Sequence, residues 1–217
     1  NNPAEDLTST LARLDETWKI QQRSQPRSRW TKLVLSESQG VTEEAPETTI
    51  GIKDDFVYLL EPPYNSRPSC LIVFTGGAGL GTYPQIAYNE LLLRISNRLN
   101  AAVITAPYQV GLDHFVLAKA TGELTRRAII HCQDDSSRLY PASLPTYSLS
   151  HSLGAKLSCI YSAATNMNFD GIGLISFNNF SFGKTIGMAK EFAEAIRQNT
   201  GIGKNEYTAG VTNEALN

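Results

Sequence analysis

The chain of 217 residues has no long apolar run, little net charge, few cysteines and few histidines. No apolar segment approaches the roughly 20 residues that a membrane-spanning helix needs, so we expect no transmembrane segment. The 19 lysines and arginines against 21 aspartates and glutamates leave a net charge of -2, which gives no electrostatic reason to expect nucleic acid binding. Any association with a membrane would then be peripheral or made through a partner.

The three cysteines, Cys70, Cys132 and Cys159, are odd in number and lie in or beside apolar segments. This pattern favours reduced, buried thiols in a reducing compartment. The sequence begins with Asn1 and contains no recognisable signal or transit peptide, although a removed one would leave no trace. A hydrophobic content of 41% and a charged content of 18% are typical of one globular domain with a single sizeable core.

An amphipathic pattern opens the chain over residues 3–22. Large apolar side chains recur at helical spacing at Leu7, Leu11, Leu14 and Trp18. We therefore predict an N-terminal amphipathic helix over residues 1–23, separated by a linker rich in proline and arginine from a domain over 29–200. Two interpretations stay open, a helix packed on its own domain and an arm that docks on a partner.

Apolar runs alternate with helical patterns, which predicts an α/β fold with a mostly parallel sheet flanked by helices. Strands are predicted over 29–35, 50–60, 70–74, 101–105, 145–149 and 171–177. Helices are predicted over 84–99, 113–130, 155–164 and 186–198, with Gly201 able to close the last. Residues 201–217 are small and polar, so we expect a C-terminal tail.

Leu149-Ser150-His151-Ser152-Leu153-Gly154 lies between a predicted strand and a predicted helix. A serine in such a strand-turn-helix context is typical of a nucleophile elbow, whose pattern G-x-S-x-G places glycines where the turn crowds the backbone. Here the second glycine is Gly154, and Ser150 replaces the first. Ser152 is therefore the candidate nucleophile.

A glycine-rich stretch, Gly76 to Gly81, follows a buried strand. It does not continue as a dinucleotide-binding fingerprint, because Thr82 stands at the third glycine position and Pro84 precedes the helix. We expect no cofactor and no bound metal. The stretch fits better the loop that supplies an oxyanion-stabilising backbone amide, with Gly77 and Ala78 as donors beside the amide of Leu153. A plain tight turn fits it about as well.

Polar residues follow two further predicted strands. Asp113 is a natural N-cap for the helix that begins at His114. Asn178 and Asn179 follow the last predicted strand, at the sheet edge where doubly wound folds bind their ligands. We therefore name Asp113, Asn178 and Asn179 as candidate residues lining a pocket.

Several of these motifs occur in one order along the middle two-thirds of the chain. They are Glu61-Pro62-Pro63, Phe74-Thr75-Gly76-Gly77-Ala78, Tyr83-Pro84-Gln85, Thr105-Ala106-Pro107-Tyr108, Asp113-His114, His151-Ser152-Leu153-Gly154 and Ser176-Phe177-Asn178-Asn179. Together they resemble an α/β-hydrolase-like family of cyanobacteria and plastids, domain of unknown function 1350. The resemblance implies the fold and a plastid or cyanobacterial setting, but no reaction. Family members carry glycine where this chain has Ser150, and they continue into further strands that would host an acid and a base.

The sequence contains no histidine after Ser152 that could serve as its catalytic base. In α/β-hydrolases the acid and the histidine follow the serine, whereas His114, His131 and His151 all precede Ser152. We expect His151 to pack or cap, because adjacent side chains diverge at a sharp turn. His114 follows a strand at the same sheet edge, and as a base it would have to come within about 3 Å of the serine oxygen. The remaining alternative is a base beyond Asn217.

The sequence therefore favours a degenerate α/β-hydrolase-fold protein that acts as a binding or scaffolding subunit. We expect protein partners, with a thylakoid membrane complex reached through residues 3–22 and the C-terminal tail. The setting implied by the resemblance is the chloroplast stroma, the stromal surface of the thylakoid or the cyanobacterial cytoplasm. The alternative is a serine hydrolase of the esterase, thioesterase or lipase type, with Ser152 as nucleophile and His114 or a residue beyond the recorded C-terminus as base.

Overall fold

The computed structural model describes residues 3–24, 29–35, 55–63, 66–138, 140–165, 167–179 and 184. Its strands are β1 (Trp30–Val34), β2 (Phe56–Leu60), β3 (Cys70–Thr75), β4 (Ala101–Thr105), β5 (Thr146–His151) and β6 (Gly171–Ile175). Its helices are α1 (Pro3–Ser24), α2 (Pro84–Ala87), α3 (Asn89–Leu99), α4 (His114–Asp134) and α5 (Leu153–Thr165), with a 3-10 turn at Leu80–Thr82.

The six strands form one sheet in the order β1-β2-β4-β3-β5-β6. Strand β2 is antiparallel to β1 and β4, whereas β4, β3, β5 and β6 run parallel. Every residue of β3 and β4 is buried, as expected for parallel strands covered by helices on both faces. This is the α/β-hydrolase arrangement, and the predicted fold class is confirmed. The carboxyl ends of the four parallel strands meet at one edge, where the glycine loop and the elbow therefore lie together.

Two apolar clusters cover the two faces of the sheet. Leu71 and Val73 of β3 belong to the cluster with α4, and Ile72 and Phe74 belong to the cluster with α3. This alternation follows from the two-residue period of a strand. Cys70 and Cys132 are buried and free, and Cys159 is half-buried and free. Burial raises the pKa of the Cys132 thiol to about 12.

Part of α1 packs on its own domain, in line with the first of the two interpretations, whereas its Leu14 and Ile20 side chains are exposed. Leu11 is buried, and the Trp18 ring meets Tyr58 edge-on with 5.6 Å between ring centroids. Asp15 is also buried, and its Oδ1 accepts a hydrogen bond of 2.7 Å from Gln85 Nε2. The ammonium of Lys19 lies 2.8 Å from Asp15 Oδ2, so the buried carboxylate has both a neutral and a charged partner.

Several predicted boundaries are wrong. The helix predicted over 84–99 is two helices, because Tyr88 leaves helical geometry between them at φ -114° and ψ 12°. Strand β5 extends to His151, α4 extends to Asp134, and β6 ends at Ile175. The predicted helix over 186–198 and the predicted tail over 201–217 lie outside the described residues. None of the described helices combines the length and the apolar character needed to cross a membrane.

Candidate active site

Ser152 is the single residue between β5 and α5, and its backbone adopts the left-handed conformation, with φ 54°. A residue with a side chain adopts this conformation at a cost of about 1–2 kcal/mol. Two backbone hydrogen bonds hold it there, from Ser152 N to Ile175 O at 2.9 Å and from Ala155 N to Ser152 O at 3.1 Å. Ser152 therefore occupies a strained strand-to-helix turn, which is the backbone geometry typical of a nucleophile elbow.

Gly154 explains why this turn needs a glycine two residues after the serine. A β-carbon at Gly154 would stand 2.2 Å from the carbonyl oxygen of Gly76 and 2.4 Å from that of Thr75. No side chain fits between these backbones, so the first turn of α5 rests directly on the end of β3.

Ser150 replaces the other glycine of the pattern and is fully buried. Its hydroxyl donates to Ser158 Oγ at 3.0 Å, and the Ser158 hydroxyl donates to Thr75 Oγ1 at 3.2 Å. A chain of three hydroxyls therefore joins β5, α5 and β3 behind the elbow. The sequence gives no signal of this chain of hydroxyls, because Thr75 and Ser158 are 83 positions apart along the polypeptide.

Two tyrosines fix the glycine loop. The Gly77 amide donates to Tyr88 Oη at 2.8 Å, and the Tyr108 hydroxyl donates to Gly76 O at 2.7 Å. The rings approach so closely that a β-carbon at Gly76 would stand 2.7 Å from Tyr88, and one at Gly81 would stand 2.5 Å from Tyr108. Gly76 and Gly81 are therefore required by the packing of the tyrosines, whereas Gly79 has a positive φ of 74° and nothing within 4 Å of a β-carbon.

This packing bears on the three amides named as oxyanion donors. The Gly77 amide is engaged by Tyr88. Ala78 is exposed, and within the described residues its amide donates no hydrogen bond. Leu153 is the first residue of α5, so its amide has no acceptor within the helix. Ala78 and Leu153 thus remain the amides able to meet a ligand.

His151 lies against the glycine loop. Its Nδ1 is 2.9 Å from Tyr88 Oη, and the two rings meet edge-on with 5.8 Å between centroids. The position that a Gly77 β-carbon would take is 2.9 Å from His151 Nδ1 and 3.2 Å from Ser152 Cβ. His151 thus packs beside Ser152 and bonds to Tyr88, which agrees with the expected packing role. No hydrogen bond joins the Ser152 hydroxyl to any residue in the described part of the chain.

His114 is the first residue of α4, and Asp113 caps that helix as predicted. Asp113 Oδ1 accepts from the amides of Phe115 at 2.9 Å and Val116 at 3.0 Å. Burial first, and then the nearby ammonium of Lys156, lower the pKa of His114, against the opposing charge of Asp113. Lys156 lies on α5 one turn beyond Ser152, so His114 faces the same helix as the elbow. Among the described residues, His114 and Ser152 are not hydrogen-bonded to each other.

Asn178 and Asn179 follow β6 at the same sheet edge. The chain turns at Ser176, which has φ 49°, and then leaves Asn178 half-buried and Asn179 exposed. Neither lines a small pocket that the described residues form behind the elbow, between α4, α5 and β3. That pocket measures about 20 Å³, is lined by Thr75, Ser158 and Tyr161 among others, and has room for about one water molecule.

A family model described as "Protein of unknown function (DUF1350)" matches residues 57–214. The chain belongs to this family. The resemblance to this family that the sequence motifs indicate is therefore confirmed. Among curated proteins, none matches the chain.

Three of the solved structures similar to this DUF1350 chain are an esterase and two hydrolases. The hyperthermophilic esterase of the archaeon Pyrobaculum calidifontis has 14% identity and a TM-score of 0.47, with 75% of this chain and 46% of the esterase covered. Fluorophosphonate-binding serine hydrolase F of Staphylococcus aureus has 14% identity and a TM-score of 0.44, with 66% and 55% covered. The siderophore hydrolase of Aspergillus fumigatus has 18% identity and a TM-score of 0.42, with 55% and 38% covered. The chain thus spans about 38% to 55% of the length of these three proteins.

In this DUF1350 chain the folded sheet brings Ser152, Leu153 and the glycine loop together. It uses Asp113 as a helix cap and does not bond His114 to the serine within the described chain. Among the described residues, no group of three or more histidine, cysteine or acidic side chains is arranged to hold a metal ion. The residues that sequence reasoning missed are Tyr88 and Tyr108, whose hydroxyls reach loop glycines 11 and 32 positions away.

Proposed function

We propose that this protein is a serine hydrolase in which Ser152 attacks the carbonyl carbon of an ester or thioester. The observation that carries the proposal is the strained backbone of Ser152, at φ 54°. Strain at a residue with a side chain persists only where the surroundings impose it, and such residues concentrate at active sites. Here the surroundings are the Gly154 contact and the hydrogen bond to Ile175.

The reaction follows from the groups at this edge. Ser152 Oγ forms a bond to the carbonyl carbon while its proton passes to a base. The tetrahedral intermediate then expels an alcohol or thiol, which takes up that proton, and leaves an acyl-serine. Water attacks the acyl-serine in the same way and releases the carboxylic acid and the free serine. The amides of Leu153 and Ala78 are the donors for the negative oxygen of each intermediate.

The base is His114 or a residue outside the described part of the chain. His114 is suited to accept a proton because its lowered pKa keeps the imidazole neutral near pH 7. Its position on α4, near Lys156 of α5, is on the elbow's side of the sheet. The α4 N-terminus would have to bring His114 within about 3 Å of Ser152 Oγ to make the hydrogen bond.

A fluorophosphonate probe tests the proposal directly. We expect covalent labelling, mapped by mass spectrometry to Ser152, and loss of labelling in Ser152→Ala. Ser66→Ala is the matched control, because Ser66 is exposed and lies away from this edge. Hydrolysis of short p-nitrophenyl esters and of acyl thioesters should be lost with the labelling. An unlabelled wild-type serine, or turnover that survives Ser152→Ala, would refute the proposal.

The second candidate is the degenerate protein, acting as a binding or scaffolding subunit. The bond between the Gly77 amide and Tyr88 favours it, because the protein's own hydroxyl engages one amide expected to serve a substrate. Its partner would be a protein of a plastid photosynthetic complex, reached through the exposed side of α1 and the C-terminal tail. Co-purification with thylakoid complexes, together with an unreactive Ser152, is the result that would select this candidate.

A further inference from the structure

We infer that Tyr88 is a positioning residue that joins the glycine loop to the nucleophile elbow through His151. The inference rests on the proposed function of Ser152. One hydroxyl makes both connections, since Tyr88 Oη lies 2.8 Å from the Gly77 amide nitrogen and 2.9 Å from His151 Nδ1. His151 directly precedes Ser152, so the pair connects the two segments that would act on a carbonyl group.

The protons of this arrangement can be assigned. Burial raises the pKa of Tyr88, against the lowering effect of the Gly77 amide, so the side chain keeps its proton near pH 7. The hydroxyl oxygen accepts from Gly77 N–H, which leaves its own proton for His151 Nδ1. We assign to neutral His151 the tautomer that accepts this proton, which is unprotonated at Nδ1 and carries its hydrogen on Nε2.

The Tyr88 ring is held rigidly enough to position its neighbours. It is 8% exposed and packs against Phe74 at 4.7 Å between centroids. Its backbone interrupts the helix between α2 and α3. Tyr88 is the C-terminal cap of α2 and the N-terminal cap of α3, and its ring points toward the glycine loop.

Gly77 lies between this ring and the nucleophile. The position that a β-carbon would take on Gly77 is 3.3 Å from Tyr88 Oη and 3.2 Å from Ser152 Cβ. The Tyr88 hydroxyl holds both Gly77 of the loop and His151 beside the serine, and so fixes the distance between the loop and Ser152. The next amide, that of Ala78, then has a fixed direction relative to the serine hydroxyl.

Tyr88→Phe removes both hydrogen bonds and keeps the ring. Tyr140→Phe is the matched control, because it deletes another buried tyrosine hydroxyl, bonded to Glu61 Oε2 at 2.6 Å at the opposite edge of the sheet. We expect Tyr88→Phe to slow fluorophosphonate labelling of Ser152, and kcat for a p-nitrophenyl ester, by roughly ten- to a hundredfold with little change in KM. Tyr140→Phe should leave both unchanged.

Nitrogen-15 NMR of the imidazoles gives a measurement independent of activity. In its neutral form, His151 of the wild-type chain should show an unprotonated Nδ1, and Tyr88→Phe should lose that preference. A wild-type His151 that carries its hydrogen on Nδ1 overturns the inference even if Tyr88→Phe fails to fold. Equal labelling rates in wild type and Tyr88→Phe overturn the positioning role alone. A wild-type chain that does not label overturns the proposed function and the positioning role with it.

Discussion

Gly154 lies directly against Gly76: a β-carbon on Gly154 would stand 2.2 Å from the Gly76 carbonyl oxygen. The contact sets the distance between the helix that begins just after Ser152 and the loop that carries Gly77 and Ala78. Those segments supply the candidate nucleophile and the candidate amide donors. This close backbone approach therefore helps to determine the dimensions of the site.

Gly154→Ala should therefore destabilise the fold. The methyl group meets backbone oxygens rather than a flexible side chain, so α5 or the end of β3 has to shift, at a cost of about 1–3 kcal/mol or more. Gly111→Ala is the control, because nothing lies within 4 Å of a β-carbon there, and its free energy of unfolding should be unchanged or slightly higher. Urea denaturation of both variants measures the difference. Equal stability of the two variants would contradict the close contact between α5 and the end of β3.

The strain at Ser152 predicts an unusual stability order. Ser152→Gly and Ser152→Ala both remove the hydroxyl, but only glycine adopts φ 54° without steric cost. We expect Ser152→Gly to be more stable than Ser152→Ala by about 1 kcal/mol. Ser162, inside α5, should show the reverse order, because glycine weakens a helix interior. Thermal denaturation of the four variants checks the order of stability at both positions. Equal stability of Ser152→Ala and Ser152→Gly would refute the backbone strain at Ser152.

The hydroxyl chain behind the elbow predicts a coupling between Ser150 and Ser158. Ser158→Ala leaves the Ser150 hydroxyl without its acceptor, and Ser150→Ala leaves Ser158 without that donor but still bonded to Thr75, whereas the double variant removes both ends of the bond. A double-mutant cycle in urea should give a coupling free energy of about 0.5–1.5 kcal/mol. Ser158→Ala should cost more than Ser150→Ala, because Ser158 also bonds to Thr75. Additive effects would mean that the two hydroxyls do not interact.

The sequence predicts the features that depend on residues close together along the chain. Strand β4 was predicted over its observed bounds, because its five residues are all apolar or small and all buried. The Asp113 cap was also predicted, since its bonds reach amides only two and three positions ahead. The elbow followed from the same local logic of strand, serine and helix.

What the sequence could not predict depends on contacts between distant segments. The break at Tyr88 interrupts a pattern that is helical in itself, and the partners of the Tyr88 hydroxyl are Gly77 and His151, the latter 63 positions away. Ser150 departs from the glycine of the elbow pattern, and the sequence does not show that its hydroxyl bonds to Ser158 of α5. The sequence likewise could not show that the Gly77 amide is engaged within the protein.

The buried carboxylate of Asp15 predicts how α1 is held on the domain. Asp15→Ala would leave the Gln85 amide buried without its acceptor and Lys19 without its buried partner, at a cost of about 2–3 kcal/mol. Glu16→Ala is the matched control, because the Glu16 side chain is 69% exposed and also pairs with Lys19, and its cost should stay below about 0.5 kcal/mol. Urea denaturation gives both values. Proteolysis provides the second measurement, since cleavage within α1 should accelerate in Asp15→Ala and not in Glu16→Ala. Equal effects of the two substitutions would mean that α1 is held by its apolar contacts at Leu11 and Trp18, with no contribution from the buried carboxylate.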